Sequence, residues 1–332
     1  MADLVAMNRS SMAALAATAL AAMLLPSPLI AQEMAEKPTP ASIVQGAPKT
    51  DWVAIDPADL LVMTLAPDAD GKDREVIIQL MPAPFSQGWV ENIRTLAKAH
   101  WWDGLSVYRS VDNWVVQWGD GEEEGGTPKP LPTGLNVVPE SEYVDETVAA
   151  KPEEDVIVLW HPRPDLVDAY AESATFNDGW PIGLQIADGT RVLRRWPVHC
   201  YGSVGVARDL SPDTGTGAEL YAVIGHAPRQ LDRNIAVVGR VIKGMQHLST
   251  LPRGTGDAGV YETLAEHTPI VSVRLGNELV EAPRFEYLST SSDSFAAYAG
   301  VSANRDDSFY KVGAGGIDVC NLRVPIRPVK DD

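Results

Sequence analysis

The chain has 332 residues, of which 45% are hydrophobic, an ordinary fraction for a globular protein with a sizeable core. Its 45 acidic residues outnumber the 27 basic ones and give a formal net charge of -18. This charge opposes association with nucleic acid or with an anionic membrane surface. Composition therefore predicts a folded protein without a nucleic-acid partner.

The N-terminus has the order of a secretory signal peptide: Arg9 precedes an uncharged, Ala- and Leu-rich run over 12–25, and the small residue Ala31 follows two prolines. The run is too short to span a bilayer, and no later segment reaches the ~20 apolar residues that a membrane helix needs. A cytosolic N-terminal helix is the alternative. We expect residues 1–31 to be a signal peptide and the protein to be exported. The periplasm is the expected destination, and secretion to the medium is the alternative.

Residues 32–50 follow as a predicted flexible leader, because they are rich in Pro, Ala and polar residues without apolar periodicity. The folded part is expected to start near Trp52. The next two apolar runs, at 60–65 and 76–80, are separated by an Asp- and Gly-rich stretch that suits a turn. They predict a pair of hairpin strands.

A single amphipathic helix is predicted after these strands. Ser86 suits its N-cap, and Val90, Ile93, Leu96 and Ala97 fall on one face. Further strand-like runs, each bounded by Gly, Asp or Pro, lie at 105–108, 114–117, 203–207, 220–224 and 236–241. Many short strands with few helices indicate a mainly β fold, a barrel or a sandwich.

Two regions interrupt this rhythm. One covers about 121–200 and opens with an acidic, Gly- and Pro-rich stretch; the other is the tail from about 251. They contain pieces of regular pattern at 156–160 and 269–275. Because neither region has a distinct linker on both sides, we interpret them as an insertion and a C-terminal extension of one domain over 51–332.

The chain has two cysteines, Cys200 and Cys320. Export would bring them to an oxidising compartment, where pairing is allowed. Sequence does not show whether their Cα atoms approach closely enough, so a disulfide and two buried free thiols both remain open.

Several common chemistries lack their motifs. The six histidines show neither a metalloprotease pair nor the spacing of a Cys/His zinc site. The G-x-G at 214–220 lacks the third small residue of a dinucleotide fingerprint, and the glycines at 202–205 do not form a nucleophile elbow. The sequence thus predicts no metal and no cofactor.

One segment carries a family resemblance. Residues 89–120 read WVENIRTLAKAHWWDGLSVYRSVDNWVVQWGD: a helix, a turn, a strand ending in Tyr-Arg and a strand ending in Gln-Trp-Gly-Asp. This order resembles the cyclophilin family of peptidyl-prolyl cis/trans isomerases. On the resemblance, Arg109 matches the catalytic arginine, Gln117 the glutamine of the motif, Trp114 the pocket phenylalanine and Val115 its apolar neighbour.

Two later segments, 201–225 and 231–248, resemble the same family in the expected order. They imply that Ala207 lies in the groove wall and that Tyr221 replaces a second pocket phenylalanine. Glu219 replaces a glutamine, which adds a carboxylate to the groove, and Leu231 takes a pocket position. Other departures from the family pattern are Tyr108 in place of a histidine, Gln230 where tryptophan is frequent, and Ile235 near a pocket histidine. They bear on rate and substrate preference.

The resemblance implies a closed antiparallel β-barrel with about two flanking helices and an isomerase without cofactors. Arg109 would stabilise the twisted X-Pro amide over an apolar pocket. The expected partners are proline-containing segments of unfolded or partly folded exported proteins, and the expected state is a monomer. An alternative from another class is a proline-segment binding module or holdase with little catalysis. An unrelated enzyme housed in 121–200 has no motif behind it.

Overall fold

Antiparallel strands make up most of the regular structure in this computed structural model, which describes residues 37–121, 127–148, 166–186 and 192–329. All of them belong to one compact unit, Lys37–Asp332. The predicted signal peptide and the predicted piece of regular structure at 156–160 lie outside the described residues.

The strands follow one another in short steps along the chain. They are β1 Trp52–Ile55, β2 Leu60–Leu65, β3 Arg74–Leu80, β4 Ser106–Ser110, β5 Val115–Gly119, β6 Asp145–Val148, β7 Leu166–Val167, β8 Ser173–Asn177, β9 Trp180–Ile186, β10 Val192–Pro197, β11 Ser203–Val206, β12 Leu220–Val223, β13 Val237–Lys243, β14 Thr268–Leu275, β15 Phe285–Leu288, β16 Ile317–Asp318 and β17 Ile326–Pro328. The α-helices are α1 Pro40–Gly46, α2 Gln87–Lys98, α3 Gln246–Ser249 and α4 Asp293–Ala303.

Eight strands close a barrel in the order β11-β12-β5-β4-β14-β2-β3-β13. Each neighbouring pair is antiparallel. The predicted hairpin is β2 with β3, which pair from Leu60 with Gln79 to Leu65 with Arg74. The predicted mainly β fold with a closed antiparallel barrel is thus confirmed. Closure leaves no barrel strand with an unpaired edge.

Helix α2 packs on the barrel through the face that the sequence predicts. Val90, Ile93, Leu96 and Ala97 are all buried in the main core. Ser86 precedes the helix but does not cap it with its side chain, so that prediction is wrong. Its backbone is left-handed, with φ 56°, whereas a capping side chain works from an extended backbone.

The leader is not extended throughout, because α1 forms within it. Thr39 and Ser42 make a reciprocal capping box, in which the N–H of Ser42 donates to Thr39 Oγ1 at 3.1 Å and the N–H of Thr39 donates to Ser42 Oγ at 2.9 Å. Pro40 at the first helical position supplies a preset φ. Val44 packs against the small core around Phe295 of α4. The folded part therefore begins before Trp52.

The tail also differs from expectation. Strand β14 is one of the eight strands of the barrel and pairs with β4 and β2. The region from 251, which the sequence predicts to be an extension, therefore contributes a barrel strand. Sequence reasoning missed this pairing because it is non-local: β14 joins β2 across about 200 residues of chain. Beyond Leu275, β15 pairs with β1 and β17 in a separate three-stranded sheet.

The region predicted as an insertion forms a second sheet of four strands in the order β6-β10-β9-β8. Arg195 of this sheet places its guanidinium 5.6 Å from the ring centre of Phe85, which lies in the segment between β3 and α2. Described elements of this region thus lie outside the barrel. The exact domain boundaries stay a prediction.

Cys200 and Cys320 are joined by a disulfide across 120 residues of sequence. This observation decides between the bridge and the free thiols. The bridge ties the chain just before β11 to the segment after β16, at a small core that includes Trp196 and Val319.

Replacing both cysteines, as Cys200→Ser with Cys320→Ser, is expected to lower the free energy of unfolding by about 2–5 kcal/mol, because the unfolded chain regains the entropy of a long loop. Urea unfolding of the variant and of the wild type under non-reducing conditions measures the difference. Reduced wild type is the matched control and should unfold at the midpoint of the double variant. Equal midpoints for oxidised wild type and the variant would contradict the expectation.

Candidate active site

The hairpin of β4 and β5 brings the two predicted catalytic residues together. Arg109 on β4 lies opposite Gln117 on β5, and the register shifts by one residue between Val107 and Arg109. Tyr108 is therefore the extra residue of a β-bulge, a feature that re-aims side chains. As a result, the consecutive residues Tyr108 and Arg109 both reach Gln117.

A chain of hydrogen bonds runs from Arg109 to Glu219. Arg109 Nη1 donates to Gln117 Oε1 at 2.9 Å, and Gln117 Nε2 donates to the Tyr108 hydroxyl. That hydroxyl donates to Glu219 Oε2 at 2.9 Å, while the N–H of Asp120 donates to Glu219 Oε1 at 2.7 Å. Two of the departures from the family pattern, Tyr108 and Glu219, thus contact each other.

Burial raises the pKa of the Tyr108 hydroxyl far above its ordinary value, and the negative charge of Glu219 raises it further. The hydroxyl therefore keeps its proton at neutral pH and remains a donor to Glu219. The chain of hydrogen bonds is accordingly fixed in one direction, with Gln117 presenting its oxygen to Arg109.

Arg109 has a second anchor that the sequence did not reveal. Its Nε donates to the carbonyl of Ala258 at 2.7 Å, and the N–H of Tyr261 donates to the carbonyl of Tyr108 at 2.9 Å. The segment after residue 250 thus runs along β4 and supports the site. Two of the five guanidinium N–H groups are used in these contacts, which leaves three for a ligand. Partial burial lowers the pKa of Arg109 from its ordinary value.

Trp114 sits at the turn between β4 and β5, where 37% of it is exposed and its ring centre lies 5.7 Å from the Arg109 guanidinium. Asn113 adopts a left-handed backbone in this turn. Its Oδ1 accepts a hydrogen bond from the N–H of His226 at 2.9 Å. A side chain at Gly225 would collide with the backbone of Asn113, so the turn packs closely against the loop after β12.

The remaining predicted pocket residues form one apolar cluster next to Gln117. Its buried members are Val115, Tyr221 and Val223, and its partly buried members are Val111, Ala207, Leu231 and Ile235. Tyr221 lies opposite Gln117 in the pairing of β12 with β5. The structure thus brings together all eight predicted site residues, whose roles stay predictions. Gln230, by contrast, is exposed.

A buried polar network lies behind Tyr221, and sequence reasoning missed it. His199 Nε2 lies 2.8 Å from the Tyr221 hydroxyl, and His199 Nδ1 lies 2.9 Å from Asp232 Oδ1. Arg229 donates from Nε to Asp232 Oδ2 and from Nη2 to Asp168 Oδ2, both at 2.7 Å. No linear signal could have joined these residues, because they come from three separate parts of the chain.

The network decides how Tyr221 is held. Because the Asp232 carboxylate accepts hydrogen bonds, a neutral His199 donates to it from Nδ1 and accepts at Nε2 from the Tyr221 hydroxyl. Burial raises the pKa of that hydroxyl well above its ordinary value, which keeps the donor proton in place. A side chain at Gly205 would collide with the same hydroxyl. The ring of Tyr221 is thus fixed from behind.

Within the described ranges, no group of three His, Cys, Asp or Glu side chains has the arrangement of a metal site. No helix in those ranges combines the length and apolar character needed to cross a membrane.

The model of the family described as cyclophilin type peptidyl-prolyl cis-trans isomerase/CLD matches residues 75–275, more than half of the chain. The chain belongs to the cyclophilin family. As a cyclophilin, it is a peptidyl-prolyl cis-trans isomerase. None of the curated proteins matches it significantly.

One solved structure supports the fold, and a second is reported for its similarity alone. Cyclophilin AquaCyp293 from Hirschia baltica is 19% identical, with a TM-score of 0.57 over 89% of this chain and 100% of that chain. A Cryptosporidium parvum cyclophilin type isomerase, solved in the presence of the dipeptide Ala-Pro, is 11% identical, with a TM-score of 0.35 over 64% of this chain and 98% of that chain. The likeness to the first covers regions on both sides of the family match.

Replacing Tyr221 by Phe is expected to lower the free energy of unfolding by about 1–3 kcal/mol, because the change leaves His199 Nε2 buried without its partner. Urea unfolding measures this cost. Tyr201→Phe is the matched control, since Tyr201 is exposed, and its midpoint should equal that of the wild type. If both variants unfold alike, the Tyr221 hydroxyl is not a structural partner of His199.

Proposed function

We propose that this cyclophilin accelerates rotation about X-Pro bonds in exported polypeptides and that Arg109 is its central catalytic residue. The observation that carries the proposal is the guanidinium of Arg109, which is held by the carbonyl of Ala258 and the side chain of Gln117. It keeps further N–H donors beside an apolar cluster that contains Tyr221 and Leu231. Such a site combines one aimed donor with a surface suited to the proline ring.

Rotation about an X-Pro bond faces a barrier of roughly 18–20 kcal/mol, because the C–N bond has partial double-bond character. When the amide twists, the lone pair of the prolyl nitrogen is no longer delocalised and becomes a hydrogen-bond acceptor. An N–H of Arg109 can donate to it in the twisted state and has no such acceptor in the planar one. Interactions that strengthen only in the transition state are the ones that raise the rate.

The apolar residues near Arg109 would hold the proline ring of the substrate in place. Val115, Ala207, Tyr221 and Leu231 would bind the proline ring while the preceding carbonyl rotates. Because the hydroxyl of Tyr221 is engaged with His199, its ring offers only apolar surface to the groove. Preorganised contacts of this kind avoid reorganisation at the moment of reaction.

Gln117 orients Arg109, and Tyr108 orients Gln117 in turn. The fixed direction of these hydrogen bonds keeps the oxygen of Gln117 on the Arg109 side. Glu219 ends the chain of hydrogen bonds and keeps a negative charge near Tyr108. Gln117 thereby serves both as a positioning residue and as a group that can bind substrate backbone.

Changing Arg109 to Ala is expected to lower kcat/KM for a short X-Pro peptide by about 100-fold or more, the usual cost of removing one preorganised donor. Arg109→Lys should restore little, because an ammonium lacks the planar fork that contacts Ala258 and Gln117 together. The measurement is the cis-to-trans rate at equal concentrations of folded protein. Arg194→Ala is the matched control: Arg194 is exposed and pairs with Glu146 on the second sheet.

Wild-type acceleration that survives in Arg109→Ala would remove Arg109 from the mechanism. A folded wild type that binds unfolded, proline-containing chains without accelerating isomerisation would favour the second candidate, a binding module or holdase. The observation that favours this candidate is the contact between the half-buried residues Tyr108 and Glu219, which both depart from the family pattern at the groove.

Export is the second part of the proposal. It rests on the signal-peptide order of residues 1–31 and on the disulfide, since disulfides persist in oxidising compartments and are rare in the cytosol. The substrates of the exported protein would be proline-containing chains that fold after export.

Expression of the full chain in a Gram-negative bacterium should yield a periplasmic protein that begins near Gln32. Mass spectrometry of the fractionated cells measures the N-terminus. Leu20→Asp, which places a charge in the apolar run, should leave the uncleaved chain in the cytosol, while Ala35→Asp after the predicted cleavage point should not. An uncleaved wild type in the cytosolic fraction would overturn the export proposal.

A further inference from the structure

A second concave site lies away from the proline groove, where the barrel, the second sheet and the C-terminal segment meet. Its cavity of about 400 Å³ is lined by β13 residues, by Trp180 and Pro197 of the second sheet, and by the segment from Val319 to Ile326. None of the eight predicted groove residues lines it. The volume falls in the range of small-molecule sites.

The walls of this cavity are largely apolar. They include the side chains of Phe176, Val198, Met245, Leu322 and Val324. A surface of this kind favours an apolar ligand body, because burying it releases water from both partners.

The charges around the cavity all have one sign. Among the described residues that line it, Arg240, Lys243 and Arg323 are charged, and no Asp or Glu is present. This is unexpected in a chain with a formal net charge of -18. Lys243 is neutralised by Glu75 at 3.0 Å, whereas Arg240 and Arg323 have no carboxylate partner in the described part of the chain.

Arg240 is held in place by neutral groups only. Its Nε and Nη2 donate to Gln79 Oε1 at 3.0 and 2.8 Å, and its Nη1 donates to the carbonyl of Gly179 at 2.6 Å. The guanidinium also stacks 4.2 Å from the ring centre of Trp180. Three of its five N–H groups are used, so one on each terminal nitrogen remains. Burial lowers the pKa of Arg240 to about 9, because no anion compensates the lost hydration.

We propose that this cavity binds a small amphipathic carboxylate, with its acyl chain against the apolar walls and its carboxylate on Arg240. A carboxylate is the anion that matches the planar guanidinium and its two remaining donors. Arg323, exposed at the rim and stacked on Tyr201 at 5.1 Å, adds a second positive charge that attracts the anion.

The test is isothermal titration calorimetry of the folded mature chain with hexanoate, octanoate and decanoate, and with decanol as the uncharged probe of the same length. We expect saturable binding that strengthens about fourfold for each added methylene and decanoate binding at least tenfold tighter than decanol. Arg240→Gln should weaken decanoate at least tenfold and remove the preference for it over decanol. Arg194→Gln, on the second sheet outside the cavity, should leave both affinities unchanged.

Arg323→Gln keeps the test decisive if Arg240→Gln fails to fold, because Arg323 is exposed. It should weaken decanoate about threefold and leave decanol unchanged. Arg109→Ala should bind decanoate like the wild type, which separates this cavity from the proline groove and from the outcome of the isomerase assay. No saturable binding to the wild type, equal binding of decanol and decanoate, or unchanged decanoate binding in the folded arginine variant would each overturn the proposal.

Discussion

Closure of the barrel fixes the groove, because β12, β5 and β4 lie side by side in it and carry most of the site. Their register sets Gln117 between Tyr221 on one neighbour and Arg109 on the other. The bulge at Tyr108 then brings two consecutive side chains to the same glutamine, which a regular strand would send to opposite faces. A single extra residue in one strand therefore determines how Arg109 is held.

The regions outside the barrel contribute contacts that support the site. Asp168, from the insertion, accepts a hydrogen bond from buried Arg229, which in turn pairs with Asp232 behind His199 and Tyr221. Removing one member of such a buried ionic network leaves a buried charge without a partner and lowers the free energy of unfolding by about 3–5 kcal/mol. The pocket wall and the segment between β7 and β8 are thus energetically coupled.

The C-terminal part of the chain has three separate tasks. Its first segment holds Arg109 through the carbonyl of Ala258, and β14 completes the barrel. The last segment carries Cys320 and lines the cavity that contains Arg240. Two apolar surfaces of different character result. The proposed function uses the groove to bring N–H donors to a neutral twisted amide, whereas the ligand proposed for the cavity is an anion.

Much of the fold and of the groove is set by local pattern. Two short apolar runs determined the strands of the β2–β3 hairpin. The spacing of Val90, Ile93, Leu96 and Ala97 determined α2, and the linear order around Arg109 and Gln117 determined the family. What only the tertiary structure decided depends on pairing between distant parts of the chain. These features are the position of β14, the Cys200–Cys320 bridge and the Tyr221–His199–Asp232 contacts. Each joins residues that lie far apart in sequence. Because the cost of closing a loop depends only weakly on its length, the separation in sequence does not predict which residues meet.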